Sequence, residues 1–246
     1  MPDTPTPEDL AQALRGGQLR LLYQPQVTLP DRAIRAVEAL LRWEHPVLGL
    51  LEPAAFLPLA EQSGLADDLL RWGMREVLLQ SIVWAEDGAT FRVAVNVSPT
   101  VTDSRLRRLL SIRGVDASRV VLELRDAHLR HQGAIWVELA ALRAEGIRVC
   151  VDGIDLDRPF PDAWPVDEVK LDRALVQRVT ADRSARAVVC DQVGALRARG
   201  LAVIALGVES AAEVDAALEL DVDGVQGFAI SVPLSNAALA AWRRAR

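Results

Sequence analysis

Short β-branched runs alternate with helix-periodic segments along the whole chain, and no long linker separates them. That alternation predicts a parallel sheet flanked by helices. Strands are expected at 19–29, 33–43, 92–96, 120–124, 147–152, 169–172, 202–206 and 224–226. Helices are expected at 8–15, 53–62, 66–84, 104–110, 133–145, 184–199, 211–220 and 236–242. With about eight strands in a chain of barrel length, closure into a modified TIM (β/α)8 barrel is favoured over an open sheet. The turn at Pro30-Asp31 is too short for a parallel crossover, so the first strand is expected to run antiparallel. Residues 1–17 read as an N-terminal segment, partly loose, with Thr6 capping the first helix, and residues 18–246 as the barrel domain.

Half of the 246 residues are hydrophobic, enough for a sizeable core, and the net charge of -6 gives no general attraction to nucleic acid. The Arg-rich stretches at 105–108 and 242–246 read as solvated helix faces. Cys150 and Cys190 lie in apolar runs without a CxxC and read as small buried residues, which suits a reducing, cytoplasmic setting. No apolar run approaches the roughly 18 residues that span a bilayer, so no membrane contact is expected.

Within the strand at 33–43, Glu38, Leu40 and Arg42 share one face. A carboxylate and a guanidinium there need partners, an ion or a ligand; the plain alternative is an internal Glu/Arg pair. Further polar residues end the other strands: Asn96, Glu123, Asp152, Lys170 with Asp172, Glu209 beyond Leu206, and Gln226. In a (β/α) barrel such ends meet at one mouth. Glu38, Asn96, Glu123 and Asp152 offer oxygen donors only, the set that suits Mg²⁺ or Mn²⁺ rather than zinc. A turn after each strand also explains a single polar end; four on successive strands make that explanation weaker. His45 reads as a loop residue, His128 and His131 as surface residues, and the six tryptophans as packing.

In this order, Tyr23-Gln24-Pro25, Glu38-Ala39-Leu40-Leu41-Arg42-Trp43, Phe56-Leu57-Pro58-Leu59-Ala60-Glu61, Asn96-Val97-Ser98, Glu123-Leu124, Val169-Lys170-Leu171-Asp172, Gly207-Val208-Glu209 and Gln226-Gly227-Phe228 resemble the EAL domain family. The resemblance covers about residues 18–240. It implies a modified TIM barrel that binds the second messenger cyclic di-GMP, which active members hydrolyse to linear pGpG with two metal ions. It further implies that Glu38, Asn96, Glu123 and Asp152 match the first-metal ligands and that Lys170 matches a contact to the attacking water. Gln24, Leu40, Arg42 and Gln226 match positions that hold the dinucleotide, and Asn96, Asp172 and Glu209 join the ligand-binding set at the same mouth. Arg42 supplies a planar fork for a phosphate, and Gln226 an amide that both donates and accepts.

Two positions depart sharply from that resemblance, and a third, Asp126, mildly. The second aspartate of the family's Asp-Asp-Phe-Gly-Thr-Gly run, which holds the second metal, is Gly153, and the loop continues Ile154-Asp155-Leu156-Asp157. This loop is short, with 18 positions between Asp152 and Lys170, and Pro159, Pro161 and Pro165 alter its path. The family's proposed general base is a glutamate where this chain has Leu206, and Asp126 replaces a loop-steadying glutamate. The expectation is a catalytically degenerate EAL domain that binds cyclic di-GMP with one Mg²⁺ or Mn²⁺ and no two-metal site. A weak phosphodiesterase and a nucleotide-free protein-interaction scaffold are the alternatives. The sequence leaves a protein partner and a homodimer open.

Overall fold

The structure, a computed structural model, describes residues 4–97, 116–129 and 135–245. The expected helix at 104–110, Ser98, one Arg-rich stretch and His131 lie outside the described residues, as does the side chain of His128.

Strand β1 (Leu19–Val27) forms a hairpin with β2 (Ile34–His45), which is followed by a short β3 (Gly49–Leu51). Then come β4 (Arg92–Asn96), β5 (Val120–Arg125), β6 (Arg148–Ile154), β7 (Glu168–Leu171), β8 (Ala202–Leu206) and β9 (Gly224–Gln226). The order β1-β9-β8-β7-β6-β5-β4-β2, with β1 also bonded to β2, closes the sheet into an eight-stranded barrel to which β3 is an appendage. All neighbours from β2 through β4 to β9 are parallel, whereas β1 is antiparallel to both β2 and β9. The expected architecture is the one observed. A Gln26–Val27 irregularity in the hairpin shifts its register by one residue.

Helices α1 (Pro7–Gly16), α2 (Pro53–Gln62), α3 (Ala66–Glu86), α4 (Asp126–Leu129), α5 (Ile135–Ala144), α6 (Arg173–Ala181), α7 (Arg183–Ala198), α8 (Ala211–Glu219) and α9 (Asn236–Arg244) are described. Thr6 starts α1 as expected. Its Oγ1 accepts the Asp9 N–H at 3.2 Å, while the Asp9 carboxylate accepts the Thr6 N–H at 3.0 Å. Ser210 and Glu213 cap α8 in the same way. Among the described residues no helix is long and apolar enough to cross a membrane.

Strand parity divides the barrel into two surfaces. Val93, Val95, Leu122, Leu124, Val149, Val151, Val169, Leu171, Val203 and Val225 point outward into the main core beneath the helices. Each buried side chain of this size stabilises the fold by about 1.5–3 kcal/mol. The other parity faces the lumen, where Ala94, Val121 and Cys150 form a small apolar layer of their own. A separate cluster seats α1 on the hairpin: Leu10 and Ala13 pack with Trp43, Phe56 and Leu69.

Three readings of the sequence need correcting. Helix α6 and strand β3 were not expected: α6 lacks a leading Gly or Pro boundary, and β3 is only three residues long. Cys190 is only partly buried: it packs on the margin of the main core, where its thiol reaches the Glu219 carbonyl at 3.2 Å. Arg243 is not merely solvated; its guanidinium lies 5.0 Å from the centre of the Phe91 ring.

Candidate functional site

The lumen-facing residues above the Ala94–Val121–Cys150 layer are polar, and they meet. Glu38 projects from within β2 rather than from its end, because β2 continues to His45. Its Oε1 accepts from Asn96 Nδ2 at 2.7 Å. Its Oε2 accepts from Lys170 Nζ at 2.9 Å and from Gln226 Nε2 at 2.7 Å. Lys170 Nζ also stands 2.5 Å from Glu123 Oε1. Four strands, β2, β4, β7 and β9, thus converge on one carboxylate, and β5 joins through the lysine.

Charge sets the protonation of this cluster. Burial alone would push Glu38 up, but Lys170 and the hydrogen bonds from Gln226 and Asn96 outweigh it and hold the carboxyl below its usual range. Burial works against the Lys170 ammonium, yet Glu123 and Glu38 hold its pKa well above the ordinary lysine value. Glu123 is pushed up to about 8 by burial and then by the Glu38 charge. Asp152 is raised for the same first reason. Three carboxyl groups thus share one ammonium, and Glu123 is the one that holds its proton near neutral pH.

The donor set fits a hard divalent cation. Glu123 Oε2 and Asp152 Oδ1 are buried and have no hydrogen-bond partner, the condition in which a carboxylate oxygen is costly unless an ion or ligand meets it. Among the described residues no three His, Cys, Asp or Glu already stand as a coordination sphere. A cation here would compete with Lys170 for Glu38 and Glu123.

The expected ligand-holding residues occupy the rim. Gln24 Oε1 accepts from Gln226 Nε2 at 3.0 Å and its Nε2 donates to the Ser231 carbonyl at 3.1 Å. Gln226 Oε1 is buried and unpartnered, an acceptor left over. Leu40 is half-buried on the same strand as Glu38. Arg42 does not pair with Glu38. Its Nη2 lies 3.4 Å from Glu52 Oε1 and its Nη1 donates to the Leu41 carbonyl at 2.9 Å. The internal Glu38/Arg42 pair is therefore excluded, since each finds another partner.

Asp172 caps α6, its Oδ1 accepting the Ala174 N–H at 2.7 Å, and Glu209 is ion-paired to Arg173 at 2.5 Å. His45 serves its loop, with Nδ1 accepting the Val47 and Leu48 N–H groups at 3.1 Å. Cys150 is buried as expected, but sequence reasoning missed its lumen position and missed Gln26, whose amide reaches Glu123 Oε1 at 3.5 Å. Parity was the available signal: Gln26 lies two residues from Gln24, and Cys150 two from Asp152.

An EAL domain model matches residues 7–233. The chain belongs to the EAL domain family. The bifunctional diguanylate cyclase/cyclic di-GMP phosphodiesterase MucR of Pseudomonas aeruginosa is 34% identical over 237 residues, 92% of this chain and 34% of MucR. The cyclic di-GMP phosphodiesterase PdeR of Escherichia coli is 29% identical over 245 residues, 95% of this chain and 37% of PdeR. The chain therefore spans about a third of the length of these relatives. The solved PaMucR phosphodiesterase, a c-di-GMP complex, superposes with a TM-score of 0.85 at 33% identity, covering 94% of this chain and 98% of that one.

Within this EAL domain the two departures have definite surroundings. Gly153 sits near the end of β6 with φ +71°, and a Cβ there would lie 3.9 Å from Asp172 Oδ2, with ordinary contact distance to spare. Leu206 ends β8 in register with Gln226, facing the mouth with a hydrocarbon. The carboxylates downstream are engaged elsewhere. Asp157 forms a two-pronged ion pair with Arg178 at 3.0 and 3.1 Å, which also holds its pKa below the usual range. Asp155 Oδ1 accepts the Asp157 N–H at 2.9 Å.

Proposed function

We propose that this EAL domain binds cyclic di-GMP and does not hydrolyse it efficiently. The observation that carries the reading is the pair Gly153 and Leu206, a hydrogen atom and a hydrocarbon at the positions where the family pattern has acids. Two-metal hydrolysis needs both cations to activate water and stabilise the leaving oxygen, and a positioned base contributes about 10²–10⁴-fold. Asp157 is ion-paired with Arg178, so a substitute role would have to break that pair.

Binding asks less of the chain. Arg42 offers a guanidinium whose second partner, Glu52, is largely exposed, so a phosphate can displace it. The spare Gln226 Oε1 and the Gln24 amide offer hydrogen bonds to a base edge. Leu40 supplies apolar floor. Glu38, Asn96, Glu123 and Asp152 would hold one Mg²⁺ or Mn²⁺, whose charge would offset that of the nearby acids and of the ligand's phosphates. Lys170 holds Glu38 and Glu123 in place from below. A change of surface on binding, read by a protein partner or a second copy, would transmit the signal.

Calorimetry with cyclic di-GMP, alongside chromatography of the same mixture with Mn²⁺, tests both halves. The expected result is saturable heat without pGpG. Steady pGpG formation that Glu38→Ala abolishes would establish the phosphodiesterase reading, which the retained Glu38, Glu123 and Lys170 favour. Folded protein without heat at high micromolar ligand would establish the scaffold.

A further inference from the structure

The end of the barrel away from the mouth holds a second charged cluster, built on the N-terminal ends of the strands. Glu168, the first residue of β7, is buried at 2% exposure. Its Oε1 alone receives three guanidiniums: Arg35 Nη2 at 2.9 Å, Arg92 Nη1 at 3.4 Å and Arg148 Nη1 at 3.7 Å. Arg92 and Arg148 open β4 and β6, and Arg35 is the second residue of β2, at the hairpin irregularity. Gly224 admits the Arg35 stem, since a Cβ at that position would come within 3.3 Å of Arg35 Cδ.

The neighbouring acids are already taken. Asp167 is bidentate with Arg143 at 3.0 and 2.7 Å and also accepts the Val149 N–H. Asp223 accepts the Val203 N–H and lies 3.4 Å from Arg197. Among the described residues, three arginines at this end therefore share one carboxylate, a surplus of two positive charges. Arg35 Nε is buried and makes no hydrogen bond. Burial, and next the charge of Arg148, pull Arg92 below the ordinary arginine range, as expected where like charges crowd. A purely structural plug would gain nothing from that surplus, because aliphatic side chains fill a barrel end without repulsion. Arg92 and Arg148 are 28% and 38% exposed, so a ligand can reach them from solvent.

We propose that Arg35, Arg92 and Arg148 form a binding site for an oxyanion of the phosphate class at the base of the barrel. Several guanidinium donors directed at one place match the several oxygens of such an anion, and a dianion would balance the surplus charge. Free inorganic phosphate and the terminal phosphate of a nucleotide share this chemistry. The site stands apart from the mouth and does not depend on what binds there.

The test is calorimetry on the full chain at fixed ionic strength, with inorganic phosphate in one arm and GMP in the other. The expected result is saturable binding of phosphate that weakens at least about tenfold in the Arg92→Gln/Arg148→Gln double variant and is unchanged in Arg75→Ala, an exposed arginine of α3. Glu168→Gln removes the competing negative charge and should tighten binding. Binding of phosphate alone assigns the site to the free ion. Binding of both, with the same loss in the double variant, assigns it to a phosphoryl group on either carrier. Absence of saturable heat, equal binding in the double variant, or a matching loss in Arg75→Ala would overturn the proposal. If the double variant does not fold, Glu168→Gln decides: tighter binding supports the site, and unchanged or weaker binding overturns it.

Discussion

Lys170→Met isolates the charge balance of the mouth. Methionine nearly matches the stem of lysine, so the cavity and overpacking terms stay small. What is lost is the ammonium 2.5 Å from Glu123 Oε1 and 2.9 Å from Glu38 Oε2, in a site where Lys170 is 1% exposed. Removing one member of a buried ion pair costs about 3–5 kcal/mol because its partner remains charged and desolvated. For a domain of this size each kcal/mol is worth about 2–4 °C, so the melting temperature should fall by about 6–20 °C. The assay is thermal and urea unfolding of the apo protein, repeated with millimolar Mn²⁺. The cation no longer competes with an ammonium for Glu38 and Glu123, so Mn²⁺ should recover about 2 kcal/mol more in the variant than in the wild type. A variant within about 1 kcal/mol of the wild type, or a Mn²⁺ shift no larger than in the wild type, would refute the reasoning.

Arg42→Ala should weaken cyclic di-GMP binding by about 1.5–3 kcal/mol, the worth of a charge-assisted hydrogen bond, as read by calorimetry; an unchanged affinity would separate Arg42 from the ligand. Gly153→Asp/Leu206→Glu should bring Mn²⁺-dependent pGpG formation at least about 10²-fold above the wild type. Placing a side chain on the Gly153 backbone at φ +71° would cost about 1 kcal/mol, and wild-type protein already as fast would oppose the idea that these two positions limit hydrolysis. Gly227→Ala should destabilise the fold by about 3 kcal/mol or more in urea unfolding, because a Cβ there would overlap the Val208 backbone and force β9 away from β8. A loss below about 1 kcal/mol would mean that this crossing yields easily.

The barrel was legible because its strands are punctuated. Val120, Leu122 and Leu124 alternate with lumen positions, and Pro30-Asp31 marks a hairpin. The Thr6 cap was legible for the same reason: a local signal with one physical outcome. Less legible was the partner of each charge. Glu38 and Arg42 are four residues apart on one strand, yet Glu38 meets Lys170, 132 positions away, and Arg42 meets Glu52. Only closure of the barrel brings β7 across from β2, and no local pattern encodes that distance. The Arg35–Arg92–Arg148–Glu168 cluster was missed although three of its members share parity with the mouth residues on their strands. Attention to the C-terminal strand ends passed over the other end of the same faces.

The two substitutions that separate this chain from the family pattern also change how much positive charge its mouth calls for. With acids at positions 153 and 206, five carboxylates would face one lysine, a deficit that two divalent cations answer. With Gly153 and Leu206 in their place, Glu38, Glu123 and Asp152 face Lys170; once a cation displaces the Glu123 proton, the excess of two negative charges is that of a single divalent ion. On the proposed reading the chain lacks a ligand and a base together with the electrostatic demand for a second metal. On that reading the mouth balances with one cation and retains the Gln24 and Gln226 amides and the Arg42 guanidinium.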